Sequence, residues 1–247
     1  MEFLIIFILY IILFLISIKI KDNSIVDIFW WTWFVILAFY MYIFKTDFDL
    51  YKTIVLLIVS FWGIRLSYYI LKRKLVIKKE DPRYAEWRSN WKYFYFRSFF
   101  QIYILQMLIM FVIAFPLYYI FSSKDLNIYF LIIGITISII WLFIEIVSDY
   151  QVQNYLKNKH EENKVFTGGL FKYSRNPNYF WESMFWLWIS VIWAGVNIFS
   201  FIWFFTITFL LLFVSWVPLK EKRQEKKDNW NEYKEKTSKF IPWFPKN

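Results

Sequence analysis

The run FLIIFILYIILFLISIKI, residues 3–20, holds one charged residue, Lys19, in eighteen positions. Because a helix needs about 20 mainly apolar residues to cross a bilayer, this run predicts a membrane-spanning helix. Lipid offers a backbone no hydrogen-bond partners, and the run is too long for a strand of a membrane barrel. Six similar runs follow, at Ile25–Phe44, Thr53–Leu71, Phe99–Phe121, Ile128–Val147, Phe180–Val196 and Ile198–Val217. We therefore predict an all-α, polytopic membrane protein with about seven transmembrane helices.

The composition agrees with a membrane protein, since 59% of the 247 residues are hydrophobic, against about 45–50% in soluble domains. A secretory signal peptide is the other interpretation of the first run. Its length, the acidic Glu2 ahead of its core and the lack of an A-x-A site favour a membrane helix. The chain has no cysteine and one histidine, His160, so we expect no metal site.

The 29 lysines and arginines are distributed unevenly between the predicted loops. If the N-terminus lies outside, 25 of the 29 fall in the inner segments, 72–97 and 218–247 holding nine each. This asymmetry follows the positive-inside rule and places the C-terminus in the cytoplasm. The net charge of +10 therefore indicates anionic headgroups of membrane lipids as partners rather than nucleic acid. If the source is bacterial, the membrane is the plasma membrane.

Several polar residues lie in or beside the apolar runs, where an unpaired charge costs at least about 2.5 kcal/mol. They are Asp27, Arg65, Gln106, Glu145, Asp149 and Glu182. Arg65 either extends its side chain to the interface or pairs with Asp27 or Glu145. Glu145 and Asp149 stand one helical turn apart and need a cation or hydroxyl donors between them. Arg175 or the ribose hydroxyls of a nucleotide could satisfy them.

The stretch TGGLFKYSRNPNYF, residues 167–180, predicts a turn followed by the start of a helix. Two glycines suit the turn, and Pro177 suits the first helical position. The free N–H groups of a helix start, with Lys172 and Arg175 beside them, suit an anion such as a cofactor phosphate. A capped interfacial helix with exposed cations explains the same residues equally well.

The segment SRNPNYFWE, 174–182, resembles the [ST]-R-H-P-N-Y-x-G-E segment of DUF1295 membrane proteins. These are relatives of the steroid 5-alpha-reductases and, more distantly, of the isoprenylcysteine carboxyl methyltransferases. Further blocks follow that family's order over most of the chain: SIVDIFW (24–30), FWGIRL (61–66), EDPRYAEWR (80–88), ILQMLI (104–109), EIVSDYQ (145–151) and the tail EKRQEKKDNWNEYKEKTSKFIPWFP (221–245).

This resemblance implies a single membrane domain, 1–247, that binds NADPH through 140–247 and reduces an activated C=C bond of a lipophilic substrate from the bilayer. The implied cofactor-binding residues are Asp149, Asn178, Tyr179, Glu182, Glu221 and Tyr233, and we add Arg175 as the expected phosphate ligand at the helix start. Asp149 would accept from cofactor hydroxyls, Asn178 and Tyr179 would line the cofactor, and Glu182 or Glu221 would orient basic groups. Two departures stand out: Asn176 replaces the usual histidine, and Trp181 replaces a glycine.

No residue is secure as the proton donor, and Tyr179 and Tyr68 are the candidates nearest to the matching blocks. Asn176 still donates a neutral hydrogen bond, so binding tolerates its presence better than acid catalysis does. Two alternative functions remain. One is S-adenosylmethionine-dependent methyl transfer, and the other is a non-catalytic role in lipid binding or transport.

Overall fold

The computed structural model describes residues 2–46, 48–124, 126–158, 163–195 and 197–246. These residues form helices and turns and no strand, so the all-α prediction is confirmed. Their contacts cluster into two compact units, Met1–Lys124 and Asp125–Asn247. The predicted cofactor-binding part, 140–247, belongs to the second unit. His160 and Val196, which entered the sequence predictions, lie outside the described residues.

The first unit contains three long helices, a short amphipathic segment and a fourth long helical stretch. Its helices are α1 (Glu2–Ile20), α2 (Ile25–Lys45), α3 (Leu50–Ile77), α4 (Pro82–Asn90), α5 (Phe94–Ser98) and α6 (Leu105–Ser122). A π-helical turn, Phe99–Ile104, joins α5 to α6 without a break. Asp49 begins α3 by accepting hydrogen bonds from the backbone N–H groups of Tyr51 and Lys52, which satisfies two of the free donors of a helix start.

Aromatic side chains hold α2 against α3 in the first unit. The rings of Trp31 and Trp62 meet edge to face with centroids 5.0 Å apart, and Phe34 packs beside both. Lys52 is buried, and its ammonium donates to the carbonyl oxygens of Phe121 and Ser123 at the end of α6. A cation is favourable there because the last carbonyls of a helix carry partial negative charge.

The second unit begins with a long hairpin and ends in shorter helices. Its helices are α7 (Ile128–Asn158), α8 (Pro177–Ala194), α9 (Phe201–Phe209), α10 (Trp216–Gln224) and α11 (Trp230–Lys236). A π-helical segment, Leu210–Val214, joins α9 to α10. The backbone departs from helical angles at Ser215, so α10 starts as a separate helix.

Helices α7 and α8 pack closely because a glycine lies at their contact. A Cβ added to Gly134 would come within 2.6 Å of Ile192 Cγ1 and 3.1 Å of the Trp188 carbonyl oxygen. Farther along the pair, the rings of Trp141 and Trp181 stack with centroids 4.7 Å apart. Trp181 therefore fills space between the helices, at the position where the resembling family has a glycine.

Among the residues that the structure describes, six helical segments are long and apolar enough to cross a membrane, which supports a multi-pass membrane protein. They are Phe3–Ile20, Ile25–Lys45, Leu50–Val76, Phe94–Ser122, Ile128–Tyr155 and Ile198–Gln224. The predicted seventh span falls on α8, which is not among them. Helix α8 begins with polar residues and is rich in tryptophan, and many of its side chains are buried against the rest of its unit.

Candidate functional site

The start of α8 is held by the C-terminal tail of the second unit. We call this arrangement the tail clasp, formed by residues 174–176 with residues 234–243. Arg175 is 6% exposed, and its Nη1 donates to the carbonyl oxygens of Lys234 (2.7 Å) and Thr237 (2.9 Å). Its backbone N–H donates to the Ser238 carbonyl at 2.8 Å. Several N–H donors of Arg175 are therefore already hydrogen-bonded within the protein.

Glu221 of α10 joins the tail clasp to the neighbouring helix. Its Oε1 accepts from Arg175 Nε at 2.9 Å and from Asn176 Nδ2 at 3.1 Å. Asn176 is fully buried, and its Nδ2 also donates to the Lys239 carbonyl at 3.0 Å. A neutral amide thus provides a donor at the position where the resembling family carries histidine.

Lys220, next to Glu221 on α10, reaches the same helix start from the other side. Its ammonium donates to the Arg175 carbonyl at 3.0 Å and lies 5.2 Å and 5.5 Å from the ring centroids of Phe171 and Tyr179. The Tyr179 ring also stacks on Trp216, with centroids 6.2 Å apart. The first turn of α8 is therefore lined by nitrogen donors and aromatic faces.

Tyr233 of α11 fixes the loop that precedes α8. Its hydroxyl donates to the Phe171 carbonyl at 2.7 Å, and Ser174 Oγ donates to the Phe240 carbonyl at the same distance. Burial raises the pKa of the Tyr233 hydroxyl above its ordinary value, although the charge of Arg175 opposes this shift. Tyr233 accordingly remains a neutral donor, and its hydroxyl is occupied by the backbone.

Carboxylates lie on the facing surfaces of α7 and α8. Glu145 of α7 is 4% exposed and close enough to Glu182 of α8 for the two charges to interact. Asp149 follows Glu145 by one helical turn, and Glu182 follows Asn178 by one turn. The amide oxygen of Asn178 is buried, and no donor in the described ranges reaches it. These groups are acceptors that suit hydroxyl or amide donors of a ligand.

The structure distributes the predicted site residues over two regions of the second unit. Arg175, Glu221 and Tyr233 belong to the tail clasp or contact it. Asn178, Tyr179 and Glu182 occupy the first two turns of α8, and Asp149 lies on α7. Tyr68, the other candidate proton donor, lies on α3 of the first unit and is 62% exposed. Lys220 was missed, because nothing in the sequence distinguishes it from the many cations that follow.

A second polar cluster, not predicted as a site, lies in the first unit. Asp27 is buried and accepts from Arg83 Nη2 at 2.6 Å and from the Tyr84 hydroxyl at 2.7 Å. Gln106 Nε2 donates to the same hydroxyl at 3.3 Å. Burial and the charge of Asp27 raise the pKa of Tyr84 well above its ordinary value. Although burial opposes it, the charge of Asp27 also raises the pKa of Arg83.

Arg83 and Tyr84 are thus the partners that the sequence required for Asp27. The block EDPRY, 80–84, predicts a helix start, because an aspartate precedes a proline, but it does not indicate which residue the next two side chains contact. Among the described residues, no group of histidine and acidic side chains could hold a metal ion.

Comparison with known proteins yields one match. A family model described as a protein of unknown function, DUF1295, matches residues 13–237. No curated protein matches the chain, and no solved structure matches it. The match covers residues of both units and includes the whole of α8, α10 and α11.

Proposed function

The chain belongs to the DUF1295 family, and on that premise we propose that it is a membrane-embedded, NADPH-dependent reductase. Its substrate is a lipophilic enone or enoyl lipid, including steroid-like molecules, that enters from the bilayer. The proposal extends the resemblance to the steroid 5-alpha-reductases noted in the sequence. The observation that carries it is the set of ligand-type groups at the first turns of α8, which come from three separate stretches of the second unit.

These groups match different parts of a dinucleotide. The Lys220 ammonium and the start of α8 suit a phosphate, because helix starts and lysines both attract anions. Asp149, with Glu145 a turn before it, suits ribose hydroxyls, which donate to carboxylates in other dinucleotide sites. The buried, unpaired oxygen of Asn178 suits a carboxamide N–H such as that of nicotinamide.

Arg175 has a different relation to a bound phosphate in this proposal. Its Nε already donates to Glu221, and its Nη1 donates to two backbone carbonyls. Arg175 therefore orients the start of α8 and contributes positive charge from behind it. A direct phosphate contact would have to use its remaining N–H groups.

NADPH supplies a hydride when bound, and the protein must then position the alkene and stabilise charge on its oxygen. The aromatic faces of Tyr179 and Trp216 provide a flat surface beside the start of α8. The Tyr179 hydroxyl is the candidate proton donor in the second unit, since a phenol remains protonated at neutral pH. Glu221 and Tyr233 act through the backbone and Arg175, as positioning residues.

Methyl transfer from S-adenosylmethionine is the competing function. Asp149 and Glu145 would serve ribose hydroxyls in either cofactor. S-Adenosylmethionine has no phosphate, and its one carboxylate lies beside a positive ammonium and sulfonium, so Lys220 and the start of α8 would gain less from it than from a dinucleotide. The donors at this helix start favour a phosphate-bearing cofactor.

We also infer seven transmembrane helices, with the N-terminus outside and the C-terminus in the cytoplasm. Helix α8 supplies the seventh, because its eighteen residues run beside the spanning helix α7. Lys78 and Lys226 then lie on the cytoplasmic side. Single cysteines at these positions are clean probes in a cysteine-free chain. Labelling of position 78 by an impermeant reagent from outside the cell would overturn this orientation.

Cofactor binding to the detergent-purified protein tests the reductase function. We expect NADPH to raise the unfolding temperature, because a ligand that binds only the folded state stabilises it, and S-adenosylmethionine to leave it unchanged. NADPH should then be consumed on addition of a lipophilic enone. Stabilisation by S-adenosylmethionine alone would support methyl transfer. Stabilisation by neither would support a non-catalytic protein.

The variant Asp149→Asn tests the ribose contact. We expect it to weaken NADPH binding by roughly tenfold to a hundredfold, since a hydrogen bond to a charged group contributes about 1.5–3 kcal/mol. Glu225→Gln is the matched control, because it removes an exposed carboxylate from the end of α10. Equal NADPH affinities in the two variants would remove Asp149 from the site. If Asp149→Asn is instead destabilised by 3–5 kcal/mol without ligand, the residue has a structural partner.

A further inference from the structure

The first unit contains an open cleft at one end of α2 and α3. Its cavity volume is about 60 Å³, and it is lined by residues from the start of α2, the end of α3 and the α3–α4 loop. The lining residues are Ser24, Asp27, Ile70, Arg73, Lys74, Lys79, Glu80, Asp81 and Pro82. Arg73 lies near the end of the spanning segment Leu50–Val76, and Lys79 lies just beyond it. The cleft is therefore at the level where a spanning helix leaves the membrane.

Each carboxylate in the cleft wall already has a cation from the protein. Asp27 pairs with Arg83, which also donates to Asp81 through Nε at 2.9 Å. Glu80 receives two hydrogen bonds from Arg88, at 2.8 and 2.9 Å. Arg83 and Arg88 thus offset two of the three negative charges on the acidic side of the cleft.

The three cations of the cleft are not equivalent. Lys74 pairs with Asp22 and donates to the Lys79 carbonyl. Arg73 and Lys79 have exposed side chains, and no ion pair is formed by either with another described residue. These two cations outnumber the one negative charge that Arg83 and Arg88 leave on the acidic side, so the opening of the cleft keeps a net positive charge. An anionic group is the complement.

The walls of the cleft are fixed by hydrogen bonds between the α1–α2 turn and the α3–α4 loop. Asn23 donates its backbone N–H to Glu80 Oε1 at 2.9 Å, and Asp81 donates its own to Ser24 Oγ at 2.7 Å. Lys78 ends α3 in a left-handed conformation and so turns the chain over the cleft. The cleft exists before a ligand arrives, which lowers the entropic cost of binding.

We propose that this cleft binds the phosphate-bearing headgroup of an anionic phospholipid, held by Arg73 and Lys79. Ile70 and Pro82 provide apolar contact for the part of the lipid next to the headgroup. The position at the end of two spanning helices exposes the cleft to the lipid surface, where headgroups are concentrated. This site is separate from the cofactor region of the second unit and does not depend on the reductase function.

The test compares two charge-matched double variants of the full-length protein in a neutral detergent. Arg73→Gln with Lys79→Gln removes the two cations of the cleft. Lys72→Gln with Lys92→Gln removes two exposed cations of the basic segment 72–97 that do not line it. Binding of phosphatidylglycerol, phosphatidylcholine and inorganic phosphate is followed by the shift in unfolding temperature, and bound lipid is counted by native mass spectrometry.

We expect phosphatidylglycerol to bind more tightly than phosphatidylcholine, and the cleft variant to lose about 30-fold in affinity for it. This is about 2 kcal/mol, the contribution of two cations near an anionic headgroup. The control variant should change less than about threefold. Inorganic phosphate should stabilise the protein far less than the lipid does, because it lacks the apolar contact.

Three outcomes would overturn the proposal. Equal losses in the two variants would indicate diffuse attraction to the whole basic segment. Equal stabilisation by inorganic phosphate would indicate a site for a soluble anion. Retained phosphatidylglycerol in the cleft variant would exclude the two cations as its ligands. The substituted side chains are exposed, and circular dichroism with gel filtration confirms folding before binding is compared.

Discussion

Replacing Arg175 by lysine is expected to loosen the tail clasp in the protein without any ligand. The guanidinium donates to three acceptors at once: Glu221 Oε1, the Lys234 carbonyl and the Thr237 carbonyl. A lysine keeps the positive charge and can reach one of these acceptors, but its single nitrogen does not reproduce the fork. Two carbonyls of the tail then lose a charged donor.

The expected loss of stability is about 2–4 kcal/mol. Hydrogen bonds to charged groups contribute roughly 1.5–3 kcal/mol each, and the lysine recovers part of this. The side chains of Arg175 and Glu221 are 7% and 13% exposed, so solvent screening is weak. A full truncation to alanine would cost more, because Glu221 would be left as a buried, unpaired charge.

Opening of the tail clasp is measured by a protease that cleaves after aromatic residues, with the products identified by mass, since Phe240 lies in the tail and is buried in the closed clasp. When reclosing is fast, the cleavage rate follows the population of the open state. A loss of 2–4 kcal/mol predicts roughly 30-fold to several-hundred-fold faster cleavage. Lys236→Gln is the control, because its pair with Glu232 is 51% and 71% exposed and contributes little.

If Arg175→Lys is cleaved at the wild-type rate and its unfolding temperature is also unchanged, this reasoning is refuted. A variant that is stable without ligand but binds NADPH poorly would instead place Arg175 at the cofactor. The two measurements therefore separate the structural role seen in the contacts from the phosphate-binding role expected from the sequence.

Three further substitutions test individual contacts. Burial acts to raise the pKa of the Asp22 carboxyl, but hydrogen bonds from Lys74 and Ser24 hold it below its ordinary value of 3.8. The charged carboxylate therefore stabilises the folded protein above about pH 4, and this contribution is lost as the pH falls. The stability difference between wild type and Asp22→Asn should accordingly shrink below about pH 4. Gly134→Ala should cost about 1–3 kcal/mol by thermal unfolding, because the added methyl group meets α8. Tyr84→Phe should cost about 1.5–3 kcal/mol, since a buried carboxylate loses one donor; no change in unfolding temperature would contradict either estimate.

The membrane-spanning helices were predictable because an apolar run of this length has few other stable states in a chain. Phe3–Ile20 and the runs starting at Ile25 and Ile128 begin in the structure at or within a residue of the predicted positions. The runs predicted at Thr53 and Phe99 start earlier, at Leu50 and Phe94. Asp49 caps one of these helices, and a π-helical turn extends the other. Hydropathy does not register either local feature.

The pairing of charges was not predictable, because it depends on which helices lie next to each other. Glu145 and Asp149 were recognised as neighbours because one helical turn separates them. That Glu182 approaches Glu145 follows from the packing of α7 on α8, which Gly134 permits. Arg83 reaches Asp27 because the α3–α4 loop folds back onto the start of α2.

The sequence by itself determined the helical class, the approximate position of the apolar spans, the clustering of positive charge in 72–97 and 218–247, and the family. These properties depend on local composition and spacing, because the length and polarity of a segment decide whether it enters the bilayer. The tertiary structure decided what each charge does. Arg175, expected at a phosphate, holds the tail through Glu221 and two carbonyls. Among nine cations in 72–97, only packing distinguishes those that neutralise acids from Arg73 and Lys79, because a side chain's partner is set by contacts between residues far apart in the chain.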